Sequence, residues 1–229
     1  MLFQVSANLS PLAWNKKMSY IYIPNGRFMT NTKEHILGVA TKLFLQKNFK
    51  EVTMKEIVEK TGLSKGAFYH YFESKEKLFL EILNLFYQTV MNIDYDNYSK
   101  DSLYQFYNDC SRDKDATMIR FPQVAEDDRG HYFNMNFFFL IFDGLKLFPE
   151  FREKMDDFQK KELKAWTGMI RQARAKGEIK STLSDRHIAM IFIHTSDGVA
   201  MNLVLGGNTR NLKEEIKSIW DKFYETLKA

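Results

Sequence analysis

Between residues 52 and 75 the chain writes three helix starts and a stop in quick succession, and this punctuation limits the fold more than any bulk property. Thr53 stands three residues before Glu56, the spacing of a capping box, and Val52 and Ile57 occupy the hydrophobic staple positions around it. That helix is expected to run to about Lys60 and to stop at Gly62, where a left-handed residue can close it. Ser64 then opens a short third helix, 65 to about 71, stapled by Leu63 and Phe68, and Ser74 opens a fourth carrying Leu78, Phe79, Ile82, Leu83, Leu85 and Phe86. Upstream, Ile36, Leu37, Ala40, Leu43 and Phe44 fall on one face of a helix over 32–46, with Asn31 and Glu34 as its capping pair. Two short helices joined across Gly62-Leu63-Ser64 have the size and punctuation of a helix-turn-helix.

The rest of the chain continues as helices separated by polar breaks. Connections are expected at 94–99, 111–115, 126–130, 177–184 and 206–211, leaving helices near 100–110, 116–124, 131–148, 150–176, 185–205 and 212–228. The fold class read from this is all-α, an N-terminal three-helix unit over 30–77 followed by a helical domain over 78–229. Helix 4, about 74–92, links the two. Residues 1–28 carry Lys16, Lys17 and Arg27, no acid and no sustained period, and are expected to be a poorly structured extension before Met29. The alternative is an arm that adds phosphate contacts. The apolar stretches 132–148 and 188–205 are interrupted by Asn134, Asn136, Asp143 and Lys146, and by His194, Asp197 and Asn202, so both read as buried helices and no membrane is expected.

Charge separates the two parts. Residues 1–77 hold twelve Lys/Arg and six acids, whereas the other 152 hold 21 basic and 23 acidic residues. A basic first part suggests a phosphate-bearing partner. Lys65 and Lys75 stand at the first positions of helices 3 and 4, where like charge meets the positive end of the helix dipole at a cost of about 0.3–1 kcal/mol. An external anion would remove that cost, so each start reads as a phosphate contact or else as a solvated lysine. Gly66 and Ala67 keep the next turn bare enough to enter a groove, and Tyr69 and His70 add polar tips.

The segment TMKEIVEKTGLSKGAFYHYFESKEK, residues 53–77, closely resembles the DNA-binding segment of TetR-family bacterial transcriptional regulators, and the likeness extends over 32–87. Thr-x-x-x-Ile, Gly-Leu-Ser-Lys-Gly, Phe-Tyr-x-Tyr-Phe and Ser-Lys-Glu occur together at the family's spacing. The resemblance implies phosphate contacts from Thr53 and Ser64, a major-groove face at Lys65, Gly66 and Ala67, and phosphate contacts from Tyr69, His70 and Lys75. Tyr69-His70-Tyr71-Phe72 departs from the family's commoner Tyr-Tyr-His-Phe, although an imidazole and a phenol can each hydrogen-bond a phosphate. Helix 3 lacks arginine, which leaves Lys65 as the expected donor to guanine and Ala67 as a contact for a thymine methyl.

The resemblance further implies that the second part binds a small effector and dimerises, through helices about 150–176 and 185–205. Helix 185–205 is apolar nearly all round and contains the small residues Ala189, Ser196, Gly198 and Ala200. Residues 131–158 hold nine aromatics, and some are expected to line a cavity between helices. The candidate pocket residues are Phe106, His131, Phe133, Phe137, Phe138, Trp166, His194 and Asp197. No cofactor or metal is expected: His187 and His194, two turns apart, lie about 10 Å from each other along a helix, too far to share an ion. The lone Cys110 excludes an internal disulfide and fits a reducing, cytoplasmic setting, and no nucleophile with a base argues for an enzyme. The expected function is a dimeric repressor that binds a palindromic DNA operator and is released by an apolar or aromatic effector. A transcriptional activator or a protein-interaction module using the same DNA-binding unit is the alternative.

Overall fold

The computed structural model describes residues 32–120, 135–207 and 211–229, with side chains through Asp113 in the first stretch. Their order is α1 (Thr32–Gln46), α2 (Met54–Thr61), α3 (Lys65–Tyr69), α4 (Lys75–Phe86), α5 (Leu103–Arg120), α6 (Met135–Leu147), α7 (Pro149–Ala175), α8 (Asp185–Leu205) and α9 (Leu212–Leu227). A π-helical turn, Tyr87–Met91, widens the end of α4, and a 3-10 turn at Tyr95–Asn97 follows. The architecture is all-α. Among the described residues the only extended pairing is one antiparallel bridge between Ile179 and Lys228, which docks the C-terminus beside the α7–α8 connection.

The caps form as their sequence dictates. The Thr53, Ser64, Ser74 and Ser184 hydroxyls accept from the N–H groups of Glu56, Ala67, Lys77 and His187, at 3.2, 3.3, 3.2 and 3.2 Å. Gly62 closes α2 at φ 69°, the left-handed conformation that a Cβ would resist. The expected Asn31 cap lies outside the described residues.

One expected break does not occur. Residues 111–115 were to separate two helices, yet α5 runs through them to Arg120. The polar side chains there find partners without leaving the helix: Arg112 pairs with Asp109 at 2.5 Å, Asp113 accepts from the Tyr98 hydroxyl at 2.6 Å, and Asp109 accepts from the Ser99 N–H at 2.8 Å. Polar composition alone marks a loop poorly when the groups can be satisfied on a helix surface.

The buried side chains form two clusters, and their border does not follow the border at 77. The first joins α1–α4 to α6 and the start of α7: Phe79 packs on Phe44 and Phe148, Phe86 meets Phe137 edge to face at 5.2 Å, and Phe151 is fully buried. Gly144 on α6 lies so close to α4 that a Cβ there would sit 2.9 Å from Leu83 and Phe151. The second cluster is built by α5, the later half of α7, α8 and α9 around Trp166, Phe192, Tyr107 and Trp220. Helix α6 is therefore part of the N-terminal core.

Helix α8 buries Ile188, Ala189, Phe192, Ile193, Ser196 and Val204 against α7 and α9. Among the described residues it alone is long and apolar enough to cross a membrane by length and composition. Its outward face carries Ile191 and Leu205.

Candidate nucleic-acid interface

Helix α3 is held by a single side chain. Phe68 is fully buried beneath it and Phe72 follows at 3% exposure, while Lys65, Gly66, Ala67, Tyr69 and His70 all face solvent. A five-residue helix is too short to be stable by itself, so the Phe68 knob and the Ser64 cap fix its position. What remains outside is a narrow face without bulky aliphatic side chains, flanked by polar tips. The Lys65 ammonium rests 6.0 Å above the Tyr69 ring, and the His70 and Tyr71 rings meet edge to face at 5.2 Å.

The caps can do two tasks at once. The exposed Thr53 and Ser64 hydroxyls each accept from their own helix, which leaves the hydroxyl proton to donate to a phosphate oxygen. Glu56 is taken by Lys47 at 2.5 Å, so the carboxylate nearest the α2 start is neutralised.

Lys75 requires a correction. Its position at the start of α4 suggested a phosphate contact, but its ammonium turns inward. It donates to the carbonyl oxygens of Phe49 and Val52, both at 2.8 Å, and lies 4.4 Å above the Phe49 ring. These acceptors belong to the turn between α1 and α2, 23 and 26 residues upstream. The exposed end of a helix dipole is thus offset for Lys75 by two fixed carbonyls and a ring face. The same turn is held from its other side, because the Phe49 N–H donates to Asp143 Oδ2 on α6 at 3.0 Å. Phe49 and Asp143, 94 positions apart, carried no signal in the sequence.

The candidate pocket residues separate into groups. Phe106 and Trp166 are fully buried in the second core, ring against ring at 5.1 Å, whereas Phe137 and the half-buried Phe138 pack together at 6.0 Å beside the first. His131 and Phe133 lie outside the described residues. His194 and Asp197 are corrected: their side chains are 63% and 68% exposed, 3.8 Å from each other on the outward face of α8. A helix apolar nearly all round does not reveal which face turns inward. On α6, Phe139 and Phe142 also face outward, at 44% and 53% exposure.

Two residues absent from the candidate set belong with Phe106 and Trp166. Glu162 is 5% exposed on α7, and Tyr95 is 9% exposed at the 3-10 turn. Burial, with the Glu162 charge added to it, pushes the Tyr95 phenol well above its usual range, so the hydroxyl keeps its proton. A signal existed: Glu162, Trp166, Met169, Ile170 and Ala173 share the buried stripe of α7, which makes Glu162 a carboxylate at the head of an apolar face. Among the described residues no group of three or more His, Cys, Asp or Glu could hold a metal ion.

Comparison with known proteins agrees with this geometry. Residues 36–82 match the model of the bacterial regulatory proteins of the tetR family. Over 55 residues the chain is 49% identical to the HTH-type transcriptional regulator QacR of Staphylococcus aureus, a match spanning 24% of this chain and 29% of that relative's length. It is 23% identical over 196 residues to the HTH-type transcriptional repressor AcnR of Corynebacterium efficiens, covering 84% of this chain and 92% of the repressor. The crystal structure of the MbdR regulator from Azoarcus sp. CIB shares the fold, with a TM-score of 0.61 at 17% identity over 82% of this chain and 96% of that one. Residues 36–82 are thus similar to the DNA-binding segment of the bacterial regulatory proteins of the tetR family, and the chain spans less than a third of the length of the relatives that it matches at 40% identity or more.

Proposed function

We propose that the chain is a cytoplasmic DNA-binding transcriptional repressor that holds a palindromic operator as a homodimer and releases it when a small effector binds. The observation that carries this reading is α3, anchored by Phe68 alone and presenting Lys65, Gly66, Ala67, Tyr69 and His70 to solvent. Lys65 supplies the donor for a base edge and the charge that neutralises a neighbouring phosphate, Ala67 the apolar contact, and Thr53, Ser64, Tyr69 and His70 further phosphate contacts.

One such helix makes too few contacts for tight specific binding, which calls for a second copy about one DNA turn away. The surface that suits pairing is the outward face of α8 with that of α9, where Ile191, Leu205 and Ile219 are exposed. Helix α7 turns outward mainly charged residues, among them Arg152, Glu153, Asp156, Lys160 and Lys164, which makes 150–176 the weaker candidate of the two helices first considered.

Release follows from population shift. An effector that binds better to a dimer with misplaced α3 helices lowers operator affinity by its differential affinity for the two states. Helix α6 is placed to couple them, since its inner side belongs to the N-terminal core and Asp143 holds the α1–α2 turn. Selection of bound DNA from a random pool with purified protein tests the reading. An enriched palindrome is expected; a pool that stays random contradicts it.

A further inference from the structure

The two clusters of buried side chains meet at a waist, and three described segments cross it. After α4, Phe86 is fully buried in the first cluster and Tyr95 is buried in the second, with no buried side chain between them. That stretch contains the π-helical turn Tyr87–Met91, where the Asn92 N–H donates to the Tyr87 carbonyl oxygen at 2.9 Å. On α7, Phe151 and Met155 pack in the first cluster, and burial resumes only at Glu162 and Trp166. Residues 156–161 between them, about 9 Å of helix, bury no side chain. On α8 burial stops at Ser196 and returns at Val204, and the adjacent Val199 and Ala200 pack against different clusters.

Each side of the waist is tied within itself. Helix α6 is fixed to the first core by the Phe49–Asp143 hydrogen bond, by the close approach of Gly144 to Leu83 and Phe151, and by Phe137 against Phe86. The start of α7 joins that core through Lys154, which donates to Asn84 on α4. In the second core Glu178 accepts from the N–H groups of Leu103 and Tyr104 and from the Tyr224 hydroxyl, at 2.9, 3.3 and 2.8 Å. Between the cores, Leu212 at the start of α9 is the half-buried apolar side chain, among the described residues, that packs against both clusters. Segments with little burial between well-packed ones open at low cost, and a π-helical turn is a place where a helix bends.

We infer that the molecule bends at this waist, through 87–94, 156–161 and 197–203, so that α6, the first two turns of α7 and the last turn of α8 travel with the helix-turn-helix. The hinge is therefore not at residue 77, where the sequence changes its charge. A few residues at the waist absorb the backbone change while each core keeps its packing, which is how a hinge differs from a general loosening. The use of this bend in releasing DNA rests on the proposed reading of the chain as an effector-released repressor; the bend itself does not. On that reading an effector tilts the whole first core, and α3 with it.

Hydrogen–deuterium exchange of the full chain at pH 7, followed residue by residue, tests the bend without any ligand. Along α7 the amides of 156–161 are expected to exchange at least about tenfold faster than those of 153–155 and of 163–173, because they open locally while both flanks stay packed. Protection that is greatest in the middle of α7 and falls toward both ends, as in a helix that frays only at its termini, overturns the inference. The same measurement with the operator selected from a random pool tests the use. Exchange over 87–94 and 156–161 is expected to change by about threefold or more, while the Phe49 amide and those of 137–145 stay at least as slow as in the free chain. A waist unaltered by the operator, or a Phe49 amide that speeds up, contradicts the bend as the release device. A chain that binds no DNA contradicts the repressor reading and leaves the exchange pattern of α7 to decide the bend.

Discussion

Helices α3 and α4 begin with the same two residues, Ser64-Lys65 and Ser74-Lys75, and with the same cap, a serine hydroxyl accepting from the third N–H of its helix. The two lysines nevertheless go opposite ways. Lys65 stands in solvent above Tyr69, and Lys75 reaches back to the carbonyl groups of Phe49 and Val52. The difference lies in what each helix start faces. Helix α3 rests on one buried phenylalanine and has open surroundings, whereas α4 emerges against the α1–α2 turn, whose two carbonyl oxygens lie within reach. A local motif sets the cap; the neighbours decide where the charge points.

The largest expected effect breaks the α4 side of this pair. Lys75→Met keeps the stem and removes both charge-assisted hydrogen bonds, leaving two carbonyl groups of the turn to water. The expected loss is about 2–3 kcal/mol of stability, or roughly 5–10 °C in Tm for a chain of this size, read by thermal denaturation. A Tm within about 1 °C of the wild type, well below the shift expected for even 1 kcal/mol, would show that the inward bonds contribute nothing.

A smaller effect is expected from the other hold on the same turn. Asp143→Ala removes the acceptor for the Phe49 N–H and costs about 1–2 kcal/mol, whereas Asp143→Asn, which keeps an acceptor oxygen, costs less. Because Asp143 belongs to α6, the alanine variant is also expected to weaken the effect of any effector on operator affinity. Comparison of the two variants in denaturant melts and in operator titrations separates these outcomes.

The caps offer a matched comparison. Ser64→Ala and Ser74→Ala each cost about 1 kcal/mol of stability, since each loses one cap bond. Only Ser64→Ala is expected to reduce operator affinity as well, through the hydroxyl proton that is proposed to meet a phosphate. Equal losses of affinity in both would remove the distinction drawn between the two helix starts.

How much of this was legible follows from the range of the interactions. Caps, the Gly62 stop and the single turn between α2 and α3 depend on residues within four positions, and the sequence states them. Helix α8 was delimited correctly at Asp185–Leu205 for the same reason, with Ser184 as its cap. The inward turn of Lys75 depends on carbonyl groups 23 and 26 residues away, and the Asp143 contact on a residue 94 away, for which no local pattern exists. His194 and Asp197 were misplaced because α8 is apolar on most sides, so periodicity did not choose its buried face. Glu162 was legible, since it stands one turn ahead of Trp166 on the buried stripe of α7 and a carboxylate on an apolar face is itself a local signal.

The division of labour between the two lysines is tested most directly by the salt dependence of operator binding. Lys65→Ala is expected to leave stability within about 0.5 kcal/mol of the wild type and to lower the slope of log K against log salt by about one. Lys75→Met is expected to keep the full slope while melting lower. A slope reduced by about one in Lys75→Met but unchanged in Lys65→Ala would contradict the account, because it would place the phosphate contact on the lysine that the fold turns inward.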